Sequence, residues 1–200
     1  MKAICLGLTG SIGMGKSTTA AMFLDAGIPV WDADAAVHRL YAPGARGTAA
    51  LAGPFPEAVS DQGVSRETLK ALLAADPSRL KQLEQLIHPL VAEDRAGFLA
   101  HTGSDILLLD VPLLFEKGID RECDATLLVT APAALQRARV LARPGMTAAQ
   151  LDLILSRQMP DQDKRARATH IVETLSIDST RAYVQALIAH LRAGMAGQNA

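Results

Sequence analysis

Three glycines, a lysine and two serines fall within one short stretch, Gly10-Ser-Ile-Gly-Met-Gly-Lys-Ser17, at the spacing G-x-x-x-x-G-K-[ST]. Glycine adopts backbone conformations that other residues avoid and puts no Cβ in a ligand's way. Successive N–H groups can therefore turn inward around an anion. A helix starting at the same point adds the positive end of its dipole. Lys16 is placed to reach the outer phosphates of a nucleotide, and the Ser17 hydroxyl to sit on Mg²⁺. An apolar run before the loop, Ala3–Leu8, and a helical pattern after it supply the setting this chemistry needs. The stretch reads as a cradle for a nucleoside triphosphate, held by Gly10, Gly13, Met14, Gly15, Lys16, Ser17 and Thr18.

The fate of the outer phosphate depends on acids at strand ends, because ligands of open parallel sheets lie at the carboxyl ends of the strands. Trp31-Asp-Ala-Asp34 ends a short apolar segment with two carboxylates two residues apart. One such group can take the proton of an attacking alcohol and another can contact a metal. Capping of the helix that follows accounts for one of them equally well. Asp110 closes the run Asp105–Asp110 and is a candidate for a Mg²⁺-water contact, beside Ser17 and Asp32. Between Ala133 and Arg167 seven basic residues face three acids, a surplus suited to a lid over phosphates. Arg139 and Arg143 lie four apart, on one face of the expected helix. An arginine so delivered is worth ~10³ to 10⁵ in rate. His38, four residues after the aspartate pair, and His88, just before Pro89, are candidate substrate contacts, with a structural role as the alternative for each.

These groups need a frame, and the chain supplies alternating apolar and helical segments, the signature of a parallel sheet wrapped by helices. Strands are predicted at Ala3–Leu8, Ile28–Asp32, Asp105–Asp110, Ala125–Thr130 and His170–Glu173. A helix is predicted from Gly15 to Asp25, with Gly27 as its stop. Residues 35–101 read as mainly helical, with Asp76-Pro77 as a helix start. Pro132–Ala142 is predicted helical, Thr147 and Gln150 suggest a capping box for a helix to Met159, and Asp178–Arg192 is a closing amphipathic helix. In that last helix Tyr183, Leu187, Ile188 and Leu191 share the apolar side, and Ala193–Ala200 is expected to fray. The core is then about 1–34, 104–132 and 168–195, with a helical insertion at about 35–103 and a lid at about 133–167.

Length and charge narrow the classes. Two hundred residues, 49% hydrophobic and 20% charged, suit one α/β domain with a mobile insertion. A net charge of −1 lacks the basic field of a general nucleic-acid binder, so no nucleic acid is expected as a partner. No stretch approaches the ~20 apolar residues of a membrane span, and the apolar start is too broken by glycine for a secretory signal. A cytoplasmic protein with no membrane partner is expected. Cys5 and Cys123 have no companion at metal-ligand spacing and read as reduced thiols, and no structural zinc is expected.

The order of these motifs resembles the dephospho-CoA kinase family over nearly the whole chain. The resemblance rests on Leu8–Thr18, Asp32-Ala-Asp34, His88-Pro89, Val111-Pro-Leu-Leu-Phe-Glu116, the Gln136…Arg139…Arg143 pattern and Gln158-Met-Pro…Lys164. It implies transfer of the ATP γ-phosphate to the ribose 3′-hydroxyl of dephospho-CoA, with Mg²⁺, on a five-stranded parallel P-loop core carrying a helical substrate-binding insertion and a lid. By the same resemblance Gly13–Thr18 and Arg139 hold the nucleotide, Asp34 takes the hydroxyl proton, Asp32 serves Mg²⁺ or the ribose, and Arg143 meets transition-state charge. Around the last strand the family often shows Ala-Asp…Asn-x-Gly, where this chain has Ala168-Thr-His…Thr-Leu-Ser176, a departure that bears on nucleotide-base selectivity. Two rivals differ in kind. A gluconate, shikimate or nucleoside monophosphate kinase would have a different insertion from the roughly seventy residues between strands two and three. A nucleotide switch specific for guanine would carry Asn-Lys-x-Asp, which this sequence lacks, and its one D-x-x-G match, Asp94–Gly97, falls in a helical pattern.

Overall fold

The computed structural model describes residues 3–197. In chain order the elements are β1 (Ile4–Thr9), α1 (Lys16–Asp25), β2 (Val30–Asp32), α2 (Ala33–Leu40), α3 (Arg46–Leu51), β3 (Val59–Ser60), β4 (Gly63–Val64), α4 (Arg66–Ala75), α5 (Arg79–His101) and β5 (Ile106–Asp110). They continue with β6 (Ala125–Thr130), α6 (Ala133–Leu141), α7 (Ala148–Ser156), α8 (Asp161–Arg167), β7 (His170–Glu173) and α9 (Ile177–Gly197). The chain divides into two compact units. One comprises the segments up to Trp31 and from Thr102 onward, the other Asp32–His101.

The first unit is built on a five-stranded parallel sheet in the order β2-β5-β1-β6-β7. Every residue of β5 and β6 is buried, as expected of central strands covered on both faces. Pairing of β1 with β5 sets Leu6 opposite Leu108 and Leu8 opposite Asp110. The carboxylate that ends β5 is thereby brought level with the end of β1, where the glycine-rich loop begins. Leu6, Leu8 and Leu108 pack with Met22 and Phe23 of α1 and with Val184, Leu187, Ile188 and Leu191 of α9. Tyr183 is only partly buried against that cluster. The closing helix also runs past its predicted end at Arg192, as far as Gly197. No proline follows Arg192, and the single weak helix former before Gly197, Gly194, lowers helix stability by only about 1 kcal/mol. Gln198–Ala200, the rest of the expected frayed end, lie outside the described residues. No helix among the described residues is long and apolar enough to cross a membrane.

The second unit packs α2, α3, α4 and α5 around Tyr41, Leu51, Phe55, Leu69, Leu83 and Ile87. One feature departs from the predicted helical stretch. A β3–β4 hairpin pairs Val59 with Val64 and Ser60 with Gly63 around a two-residue turn, Asp61-Gln62, which lacks the glycine-containing pair that signals such turns. Gly63 has φ +91°, and a Cβ there would overlap the Tyr41 carbonyl oxygen, to which Val64 N–H donates. Asp76 sits between α4 and α5, as its predicted place before a helix requires. It ends α4 and opens the turn that leads into α5: its carboxylate accepts the N–H and the hydroxyl of Ser78, and its carbonyl accepts from Arg79 N–H, where the regular helix begins. The two bonds from Ser78 hold the Asp76 carboxyl below its ordinary range.

Phe55 is fully buried, with the Arg79 guanidinium 4.5 Å from its ring centre and donating to Pro54 O. Phe55→Ala should cost about 3–5 kcal/mol of stability, through lost burial and a cavity the cluster cannot close. Equilibrium urea denaturation checks this, and a loss below about 1 kcal/mol would show that the second unit does not depend on this cluster.

Candidate active site

The loop between β1 and α1 is held by groups outside it. Gly10 lies so close to β6 that a Cβ would sit 2.7 Å from both Val129 O and Val129 Cγ2. Gly13 has φ +78° and Gly15 φ +91°, conformations that favour glycine, and a Cβ on Gly13 would overlap Val140 Cγ2 of α6. The Ile12 carbonyl accepts from Gln136 Nε2 at 2.8 Å, and Ile12 N–H donates to Gln158 Oε1 at 3.2 Å. The Met14 carbonyl accepts from the buried Thr174 hydroxyl at 2.8 Å. Met14 N–H donates to Ser11 O, so this amide is engaged within the loop, and the Met14 side chain is buried. Among the described residues nothing hydrogen-bonds the amides of Gly13 and Gly15. Helix α1 begins on Gly15 without a side-chain cap or an acid in its first turn, leaving Ser17 and Thr18 exposed at its positive end.

Lys16 Nζ lies 2.5 Å from Asp110 Oδ1, with the lysine side chain 15% exposed and the aspartate 3%. The strand-end acid thus faces the loop lysine. Beside the loop is a cavity of about 320 Å³, lined by Gly13, Gly15, Thr18, Thr19 and Met22 together with Arg139, Arg143 and residues 174–177 and 180. Arg139 donates to Thr174 Oγ1 at 2.9 Å and to the Thr174 carbonyl at 2.5 Å. Arg143 is not on α6 as its spacing predicts. The helix ends at Leu141, and Pro144-Gly145, the glycine at φ +76°, prevents its continuation, so Arg143 occupies the turn. Both arginines still reach the one cavity. Among the described residues no ion pair holds Arg143, whereas Arg137, Lys164, Arg165 and Arg167 of the basic surplus pair with Asp152, Glu116, Asp161 and Asp120. Lys164 is fully buried, 3.0 Å from Glu116 Oε1.

The remaining candidates belong to the second unit. Asp32 caps α2, its Oδ1 accepting from Ala35 N–H at 2.9 Å. Asp34 is exposed in the first turn of α2, and His38 is exposed one turn later. His88 is exposed on α5, 3.7 Å from Glu84. Thr174 was not singled out by type or spacing, since a lone threonine after a strand carries no signal. Gln136 and Gln158 stood in the sequence pattern without an assigned task.

The dephospho-CoA kinase family model matches residues 4–178. A dephospho-CoA kinase of Cereibacter sphaeroides is 62% identical over 192 residues, covering 96% of this chain and 98% of the relative. That of Ruegeria pomeroyi is 52% identical, covering 94% and 96%. Among solved structures, a Thermus thermophilus protein superposes with a TM-score of 0.84 at 36% identity, covering 96% of this chain and 99% of the other. A Campylobacter jejuni dephospho-CoA kinase, at 18% identity, shares the fold with a TM-score of 0.67.

Thr174 hydrogen-bonds three parts of this site at once, so Thr174→Val should cost about 1–3 kcal/mol by stranding the Met14 carbonyl and an arginine donor. Thr174→Ser keeps the hydroxyl and should recover most of that loss. Denaturant midpoints for the two variants check this, and a Val variant as stable as the natural chain would show that the hydroxyl does not matter.

Proposed function

The chain belongs to the dephospho-CoA kinase family, and from that premise we propose how its own residues carry the reaction. The enzyme is an ATP-dependent phosphotransferase of the final step of coenzyme A biosynthesis, using ATP and dephospho-CoA. In our reading the γ-phosphate goes to the ribose 3′-hydroxyl of dephospho-CoA. The observation that carries the division of labour is the shared cavity, to which the loop glycines, Arg139 and Arg143 all contribute.

The amides of Gly13 and Gly15 and the start of α1 hold phosphate oxygens, and Lys16 neutralises the charge that builds as the γ-phosphate transfers. Lys16 is poised on Asp110, a contact that orients the ammonium toward the loop until phosphate competes for it. Arg139, tied to Thr174, makes a fixed wall of the nucleotide pocket. Arg143, in the turn after α6, lines the cavity with no ion pair of its own among the described residues and is assigned to transition-state charge. Residues 133–167 then act as the lid, and 32–101 as the acceptor-binding insertion. Asp34, exposed and not engaged as the cap of α2, takes the proton of the attacking hydroxyl. Asp32 is half committed to capping and keeps one oxygen for ribose or metal. His38 and His88, both exposed, are kept as acceptor contacts.

The donor set also fits Mg²⁺. Ser17 offers an exposed hydroxyl and Asp110 a buried carboxylate, and Mg²⁺ takes one or two protein oxygens beside substrate phosphates and water. Bound there, Mg²⁺ would offset charge on the β- and γ-phosphates. The cytoplasm is the proposed setting, with no nucleic acid or membrane as partner; the net charge of −1 supplies no attraction for either.

ADP release from Mg-ATP is expected to depend on dephospho-CoA and to be slight with AMP, adenosine, shikimate or gluconate. Equal rates with another of these alcohols would overturn the acceptor assignment. Asp34→Asn should lower kcat by roughly 10²–10⁴ with the fold intact, the range for a lost general base, and near-normal turnover would remove Asp34 from that role. Arg143→Ala should lower kcat more than it weakens ATP binding, and the reverse would make this arginine a ground-state contact.

A further inference from the structure

A peptide unit is planar and trans, so its C=O and N–H point in opposite directions. Whatever grips a carbonyl from one side therefore aims the next residue's amide to the other. The peptide joining Ile12 to Gly13 is gripped at its carbonyl by Gln136 Nε2, at 2.8 Å, and its other end is the Gly13 amide, which has no partner among the described residues. The peptide joining Met14 to Gly15 is gripped in the same way by Thr174, and its other end is the Gly15 amide. The preceding peptide, joining Ser11 to Ile12, is held by its N–H on Gln158 Oε1, which turns the Ser11 carbonyl back toward Met14 N–H.

The grips are themselves fixed. Gln136 is 7% exposed, on an α6 that lies against Gly13 so closely that a Cβ would overlap Val140. The residue after Gln158 is Met159, whose N–H donates at 2.9 Å to Glu116 Oε1. That same oxygen lies 3.0 Å from the fully buried Lys164 ammonium. Gln136 and Gln158 come from opposite ends of the segment that also brings Arg139 and Arg143 to the cavity. The seat of that segment and the aim of the loop amides are mechanically one thing.

We propose that Gln136 and Gln158 are positioning residues of the phosphate cradle, gripping the peptides on either side of Ile12 so that the Gly13 amide points at the nucleotide. The proposal rests on the reading of residues 10–18 as the triphosphate-holding loop. It assigns no contact between either glutamine and the substrate. Their removal leaves the loop to sample other peptide orientations, and affinity falls by the fraction of time the amides are misaimed.

The test is ADP binding to the full chain, followed by calorimetry and by the ¹⁵N–¹H signals of Gly13 and Gly15. In the natural sequence both amides should shift on binding. Gln136→Met keeps side-chain length but removes the donor, and should raise the ADP Kd roughly three- to tenfold, the range for one lost hydrogen bond. In that variant the Gly13 shift should shrink while the Gly15 shift persists. Thr174→Val should do the reverse. Gln136→Glu, which sets a carboxylate against the Ile12 carbonyl, should be worse than Gln136→Met, and Gln158→Met should weaken ADP binding in the same range. Should Gln136→Met not fold, Gln136→Asn withdraws the same amide by one methylene and gives the same reading. Unchanged affinity and an unchanged Gly13 shift would overturn the proposal, as would equal loss at both glycines, the mark of general loosening. A natural chain whose Gly13 and Gly15 amides both ignore ADP would instead overturn the loop assignment beneath it.

Discussion

A loop that is to hold an anion with its backbone must keep some amides free of any internal partner, and a free amide leaves its peptide untethered at that end. The rest of this core is arranged around that requirement. The amides of Gly13 and Gly15 are kept open among the described residues, and the neighbouring carbonyls are fastened from outside by Gln136 and Thr174. The fastening groups are amide and hydroxyl side chains because each must reach one carbonyl without adding charge beside phosphate. Their bearings are α6 and the end of β7, and both are fixed by the buried sheet: β6 and β7 pair in parallel from Leu127 to Thr130, and Thr174 N–H extends that ladder to Thr130 O. Packing of the sheet is thereby converted into the direction of two N–H bonds.

Charge is arranged by the same choice of partners. Lys16 and Asp110 form a nearly buried pair, and such pairs contribute little net stability because desolvation offsets the attraction. Their effect is directional: the ammonium is kept at the loop instead of wandering into solvent. Lys164 and Glu116 repeat the device away from the cavity, where the buried lysine holds a carboxylate that in turn fixes the backbone at Met159. Of the basic surplus in residues 133–167, four members are engaged in ion pairs and Arg139 on Thr174. Arg143 reaches the cavity uncommitted, as a group answering to phosphate requires.

The sheet was legible because its strands are apolar on both faces, and the loop was legible because its glycines and lysine are required by type. β6 and β7 have the bounds that the sequence predicts, Ala125–Thr130 and His170–Glu173. What the sequence could not display was tertiary grip. Gln136, Gln158 and Thr174 are ordinary polar residues whose role exists only once Ile12 and Met14 lie beside them, more than a hundred positions away. The β3–β4 hairpin escaped because its turn lacks glycine, and Arg143 left its predicted helical face because Pro144-Gly145 ends α6 two residues before it. Asp76 has the right type for a helix cap, and its carboxylate accepts the Ser78 N–H at the turn that leads into α5.

The stretch after β7 is therefore not an empty part of the site. Thr174 there supplies the grip on Met14 and the seat of Arg139. Leu175 and Ile177, both more than half exposed, line the same cavity as the loop glycines. Apolar rims of this kind accept the flat face of a base by stacking and hydrophobic contact, which does not discriminate strongly among bases. On the proposed reading, discrimination by hydrogen bonding falls to the polar groups of the same wall, the backbone of residues 174–177 and the side chains of Thr18 and Ser176. On that reading, this stretch serves the nucleotide as long as Thr174 holds the Met14 carbonyl and the backbone of residues 174–177 stays at the cavity.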